Sequence, residues 1–275
     1  MTNGTMLVVP IDVQALCIGA KDTAAGAKTL LPTADFSALP HRQNGTNCQT
    51  GPYTSVAVLA AGGPLEGEQA FLPGIHLHWA LPDGLTHAPQ GSDPTTPGAF
   101  PAVPNRWLVT RIVLDTGNPA HPALKSWVVE SDRLSTAQTT PAGLYQPTVP
   151  LDPSESPGFR YIGKATDASV GWAEPGKLAV TDQFAPLTAV GYGEESFASF
   201  YPNCSTVFGH YDDLADLIGY NPATSTVAYH VAGWYGNPAD EPLAADPTGA
   251  RFGWRIPQGA APAATVLSGI IDDIA

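Results

Sequence analysis

Residues 106–131 read RWLVTRIVLDTGNPAHPALKSWVVES, and this stretch decides the fold. Its first ten residues are rich in β-branched and aromatic side chains and poor in helix formers, which predicts a strand over 106–115. The segment TGNPAHP then supplies Gly117, Pro119 and Pro122, which interrupt any regular element. KSWVVES, 125–131, resumes the earlier composition. Two such runs around a loop somewhat longer than a tight turn predict an antiparallel pair.

The same chemistry recurs on both sides of this pair. MLVVPIDVQALCI (6–18) is a β segment split by Pro10, and SVAVLAA (55–61) and IHLHWAL (75–81) read as short buried strands. FRYIGKA (159–165), KLAVTDQ (177–183) and TSTVAYHVAGWYG (224–236) continue the series. Helical signals are fewer. EESFASFY (194–201) suits a short helix ending before Pro202. YDDLADLIG (211–219) has an acidic start, Leu214, Leu217 and Ile218 on one side, and Gly219 as a stop. The tail, 264–275, fits helix or strand. The expectation is an all-β or β-dominated chain: an antiparallel sandwich or barrel with long Pro/Gly-rich loops and two or three short helices. One domain over 1–275 is expected, with the loop 134–158 as the place for any internal boundary.

Bulk composition narrows the function. Gly and Pro number 28 each in 275 residues, while charged residues are only 13%, about half the usual share. Long amphipathic helices need more Glu, Lys and Arg than this. The net charge is −13, with five lysines and seven arginines, so no basic footprint for nucleic acid or an anionic membrane is present. No apolar run is long enough to span a bilayer. The start lacks a basic n-region and Asp12 interrupts its apolar run, which predicts no signal peptide and cytoplasmic synthesis. Cys17, Cys48 and Cys204 are odd in number and include no CxxC, which argues against a disulfide scaffold.

The one pattern with metal chemistry is GIHLHWALPDGLTH, 74–87. On a strand, residues two apart share a face, so His76 and His78 can present two imidazoles to one Zn or Fe ion. A third ligand is then required. His87 and Asp83 follow the turn at Pro82, and Glu66 and Glu68 precede the strand. A cupin-like barrel enzyme uses such a pair together with a nearby glutamate, and the residues after His78 contain none. The structural reading has each imidazole donating to a backbone carbonyl, with Trp79 on the opposite face from His78, and no cofactor.

Other candidates are sparser. FYPNCSTVFGHYDD (200–213) holds Cys204, His210, Asp212 and Asp213, a conceivable thiol–imidazole pair without a known catalytic signature. GYGEES (191–196) matches no phosphate loop, and a G-x-S-x-G elbow is absent. The aromatics permit a carbohydrate-binding surface. Trp107, Trp127 and Trp234 fall within strands and belong to the core by position, which leaves Trp172 and Trp254.

Four blocks together carry a resemblance: HLHWALPDGLTH, FPAVPNRWLVTR (100–111), FYPNCSTVFGHYDD and VAYHVAGWYGNPADEPL (227–243). They resemble the N-terminal region of a family of large bacterial proteins with HWALPDALT-like, VPNRWLVTR-like and YHVAGWY-like blocks. The resemblance implies a module of a longer protein, associated with phage-tail-like contractile injection systems as cargo or particle component. It implies tube or baseplate proteins as partners and export within the particle, and it assigns no catalytic residue. The expectation is a non-catalytic structural or protein-interaction module. The alternatives are a metal-dependent enzyme using His76 and His78, and a carbohydrate-binding module.

Overall fold

The computed structural model describes residues 11–19, 41–43, 46–49, 72–88, 100–115, 117, 123–150, 158–175, 182–184, 186–189, 206–221 and 223–254. The strands, in chain order, are β1 (Asp12–Ile18), β2 (His41–Gln43), β3 (Thr46–Gln49), β4 (Gly74–Ala80), β5 (Arg106–Asp115), β6 (Ala123–Ser135), β7 (Thr148–Pro150), β8 (Phe159–Asp167), β9 (Gly209–Asp212) and β10 (Ser225–Trp234). The described residues also include two single-turn helices, α1 (Asp83–Thr86) and α2 (Pro242–Ala245), and three short 3-10 turns.

One sheet has the order β1-β4-β9 and the other β10-β5-β6-β8-β7, while β2 and β3 form a separate hairpin. Every adjacent pair is antiparallel. The expected β-dominated fold is present as an open sandwich, and the described sheets do not close into a barrel. β5 pairs with β6 on one side and β10 on the other, which makes 106–131 the centre of the larger sheet.

Strand periodicity explains where the core lies. Trp107, Val109, Arg111 and Val113 share one face of β5 and are buried, whereas Leu114 on the other face is half exposed. Ile75, Leu77 and Trp79 of β4 meet this face from the smaller sheet. An aromatic chain ties the layers. The rings of Trp79 and Trp107 lie 5.5 Å apart, and Phe208 stands edge-on to Trp107 at 6.3 Å, both within the favourable range for aromatic pairs.

Several expectations require correction or fall outside the description. The segment 211–219 is not a helix: its first two residues finish β9, and two successive turns follow, with Leu217 N–H bonded to Leu214 C=O and Tyr220 N–H to Leu217 C=O. Asp212 is buried and bound to Arg111, which fixes the backbone as strand. Leu214 has a φ of 56°, and Ile218 points into solvent. Tertiary pairing has overridden a local helical pattern. Part of the 134–158 loop is sheet, because β7 pairs with β8, and Leu144, Gln146 and Val149 are buried. The strand expected at 55–61, the helix at 194–201 and the tail at 264–275 lie outside the described residues, as does 177–181 of the KLAVTDQ strand.

Candidate functional site

The most concentrated polar chemistry lies inside the sandwich, where an apolar strand delivers a guanidinium. Arg111 is fully buried on β5. Its Nη1 donates to both carboxylate oxygens of Asp212 on β9, at 3.0 and 2.8 Å, and its Nη2 donates to Asp216. The Tyr229 hydroxyl of β10 donates to Asp212 Oδ2 at 2.8 Å, and Leu214 N–H donates to Oδ1 at 3.0 Å. Asp212 therefore accepts from Arg111, Tyr229 and the Leu214 backbone, which compensates its removal from water. Lys125 Nζ lies 3.6 Å from Asp216 and sits over the Trp127 ring, as does Arg111.

The electrostatics follow from this packing. Burial acts to lower the Arg111 pKa, but the hydrogen bonds and charges of Asp216 and Asp212 outweigh it and hold the guanidinium ionised. Burial likewise acts to raise Asp216, and the bond and charge of Arg111 reverse the direction. Burial, then the charge of Asp212, pushes the Tyr229 hydroxyl above the ordinary tyrosine range.

His210 completes this region. It stands on β9 opposite Leu77, is buried, and packs on Trp127 at 4.6 Å between ring centroids. Neither ring nitrogen has a hydrogen-bond partner among the described residues. Burial pushes its pKa down to about 4, partly opposed by the charge of Asp212, so the ring is neutral and apolar in behaviour near pH 7. It is a poor general base for the proposed thiol pair. The other member, Cys204, lies outside the described residues.

A second buried arginine leaves the opposite face of β5. Arg106 donates through Nη1 to Asp132 and through Nε to Glu174 at 3.0 Å. Asp132 also accepts from Asn105 Nδ2 at 2.7 Å and Gln183 Nε2 at 2.6 Å, and Asn105 Oδ1 accepts from Gly236 N–H. Asp132 sits where the β6–β8 register shifts between Glu130 and Leu134. The irregularity re-aims the side chain into this network, a common use of a bulge.

His76 and His78 both occupy β4 and both are buried. They lie on the face opposite Trp79, as the alternation predicted. His76 donates Nε2–H to the Leu72 carbonyl at 2.9 Å and packs on Tyr211 at 4.9 Å. Burial lowers its pKa, with the Leu72 bond acting the other way. Donation to a carbonyl commits Nε2, so that nitrogen has no lone pair to offer a metal in this arrangement. His87 is exposed after α1 and bonds through Nδ1 with Thr86 Oγ1 at 3.0 Å. Among the described residues no three His, Cys, Asp or Glu side chains are grouped to hold an ion; Glu66 and Glu68 lie outside them.

Two further features bear on ligand binding. A shallow cavity of about 240 Å³ is lined by Phe100, Pro186, Asp240, Glu241, Asp246 and Phe252, among others, at or below the small end of ligand pockets. Trp172 and Trp234 are half-buried and meet edge-to-face at 5.9 Å, which offers no flat stacking platform. Trp254 is tied to Gly84 C=O through its ring N–H at 3.1 Å.

Sequence reasoning missed the two arginine networks. A signal existed: Arg106 and Arg111 are the two charges within an otherwise apolar ten-residue strand that ends in Asp115, and an arginine in phase with inward valines demands a carboxylate partner. No protein-family model matches the chain, and no curated protein or solved structure is significantly similar to it.

Proposed function

We propose that this chain is a non-catalytic β-sandwich module that holds a fixed shape and presents its edges and loops to a protein partner. One observation carries the reading. Arg106 and Arg111, on opposite faces of the central strand, are both buried, and each is ion-paired within the chain to one buried carboxylate, Asp132 or Asp212, and one exposed carboxylate, Glu174 or Asp216. Charges paired in this way within the chain brace strands against one another and are not poised toward a substrate. The neutral, enclosed His210 and the carbonyl-bonded His76 point the same way.

The four sequence blocks support a more specific version: an N-terminal module of a larger bacterial protein, carried as cargo or component of a contractile injection particle and in contact with its tube or baseplate proteins. The test is purification of the untagged chain from cells producing such a particle. The reading expects co-purification with tube or baseplate proteins and no stoichiometric Zn or Fe by elemental analysis. A tightly bound stoichiometric metal, lost when His76 and His78 are both replaced by alanine, would overturn it in favour of a metal-dependent enzyme.

A further inference from the structure

We propose that the outer edge of β10 is a docking site for an extended segment of a basic partner protein, which adds to the larger sheet as a further antiparallel or parallel strand. This rests on the interaction-module reading above and names where and what that module binds.

β10 is an edge strand of ten residues, Ser225–Trp234, in unbroken register with β5. At the rise of a β-strand its edge is about 33 Å long. Apart from the β5 ladder, its hydrogen bonds are Ser225 N–H to Asn221 C=O and the Tyr229 hydroxyl to Asp212. The outward-facing backbone groups have no partner among the described residues. Thr226, Ala228 and His230 are exposed and, apart from the imidazole, small.

Soluble proteins normally blunt a long edge with a proline, a lysine, a bulge or extreme shortness. The opposite edge of this same sheet is treated that way: β7 has three residues and ends in Pro150. β10 has none of these devices. Its sequence, STVAYHVAGW, contains no proline and no Asp, Glu, Lys or Arg. An unprotected edge of this length is the geometry that strand addition requires, with main-chain hydrogen bonds supplying affinity.

Charge selects the occupant. Residues 213–250, with β10 in the middle, hold not one Lys or Arg, and, with Asp216 paired to Arg111, Asp213, Asp240, Glu241 and Asp246 form the acidic flanks of the strand. Asp240 and Glu241 act electrostatically on Tyr235, just beyond the C-terminal end of β10, and Asp115 lies across from Ser225 at the other end. A second copy of the chain would bring this acidic stretch against itself. An uncharged strand flanked by lysine or arginine complements it.

The experiment uses the full chain and a synthetic peptide of ten alternating Thr and Val residues with two lysines at each end. Binding is read by fluorescence anisotropy and located by amide hydrogen exchange. The expected result is slowed exchange at 225–234 on peptide binding. Affinity should fall at least tenfold when alternate backbone nitrogens of the peptide are methylated, and again when its lysines are replaced by glutamates. Equal binding of the methylated peptide, no binding at all, or slowed exchange confined to another surface would overturn the edge assignment. So would a concentration-dependent dimer whose 225–234 amides are protected without peptide, because a second copy would then be the occupant. None of these results touches the co-purification test, so failure of the edge and failure of the module reading are distinguishable.

Discussion

Gly233 of β10 lies directly across the ladder from Trp107 of β5, and the indole ring occupies the space that a side chain at 233 would need. A Cβ built there would stand 2.4 Å from Trp107 Cζ3. Trp107 in turn joins Trp79 and Phe208 in the centre of the core. The glycine is therefore a packing requirement. Gly233→Ala is expected to destabilise by roughly 1–3 kcal/mol, the usual cost of overpacking. Urea unfolding followed by tryptophan fluorescence measures it, and an unchanged midpoint would show that the indole has another place to go.

Acid should loosen the seam between the sheets. His210 is neutral when folded, with a pKa of about 4, against about 6.5 in an unfolded chain. A depressed histidine means that the unfolded state binds the extra proton between these values. The associated stability is present above pH 6.5 and is lost as pH falls toward 4, on the order of 3 kcal/mol in all. Asp216, whose pKa is lowered by Arg111 against the effect of burial, contributes in the same direction: its stabilisation is lost as pH falls through its folded value. His210→Phe, which keeps an aromatic ring against Trp127, is expected to flatten the slope of stability between pH 6.5 and 4. Unfolding midpoints at half-unit pH intervals for both proteins check this, and parallel curves would exclude His210 as the source.

Asp132 is fully enclosed and collects Arg106, Asn105 and Gln183 as donors. An amide at this position turns an NH₂ group toward a donor and withdraws the charge opposite Arg106. Asp132→Asn is expected to cost about 2–4 kcal/mol, because the buried guanidinium keeps the Asn105 carbonyl but has only the partly exposed Glu174 as a carboxylate partner among the described residues. Thermal unfolding measures the loss. Lys125→Ala, by contrast, removes a partly exposed cation 3.6 Å or more from its carboxylates, and the same experiment should register less than about 1 kcal/mol.

The larger sheet was legible because its strands are long and β-branched. The expected strand 106–115 is β5, and 224–236 brackets β10. β6 extends past the expected 125–131 to Ser135, because the irregularity after Glu130 lets the strand continue through polar residues that sequence pattern treats as loop. β7 was hidden by proline, which an edge strand tolerates and a central one does not. The YDDLADLIG segment misled because its leucine spacing is a local signal, while the ion pair that decides its conformation comes from a residue 101 positions earlier. The same distance explains why the site was half legible. His76 and His78 announce themselves by adjacency in sequence; Arg111, Asp212, Asp216 and Tyr229 are assembled only by topology.

If buried charge braces the sandwich, Arg111 and Asp212 are energetically coupled. A double-mutant cycle on Arg111→Met and Asp212→Leu, read by urea unfolding at pH 7, tests this most directly. Each single change should cost about 3–5 kcal/mol, because Arg111→Met leaves Asp212 buried without its cation and Asp212→Leu leaves the buried Arg111 with Asp216 as its carboxylate, and the double variant should be more stable than the sum of the two losses predicts, by on the order of 1–3 kcal/mol. Additive losses with no coupling would contradict a bracing role for the pair, because the two residues would then not be acting on each other.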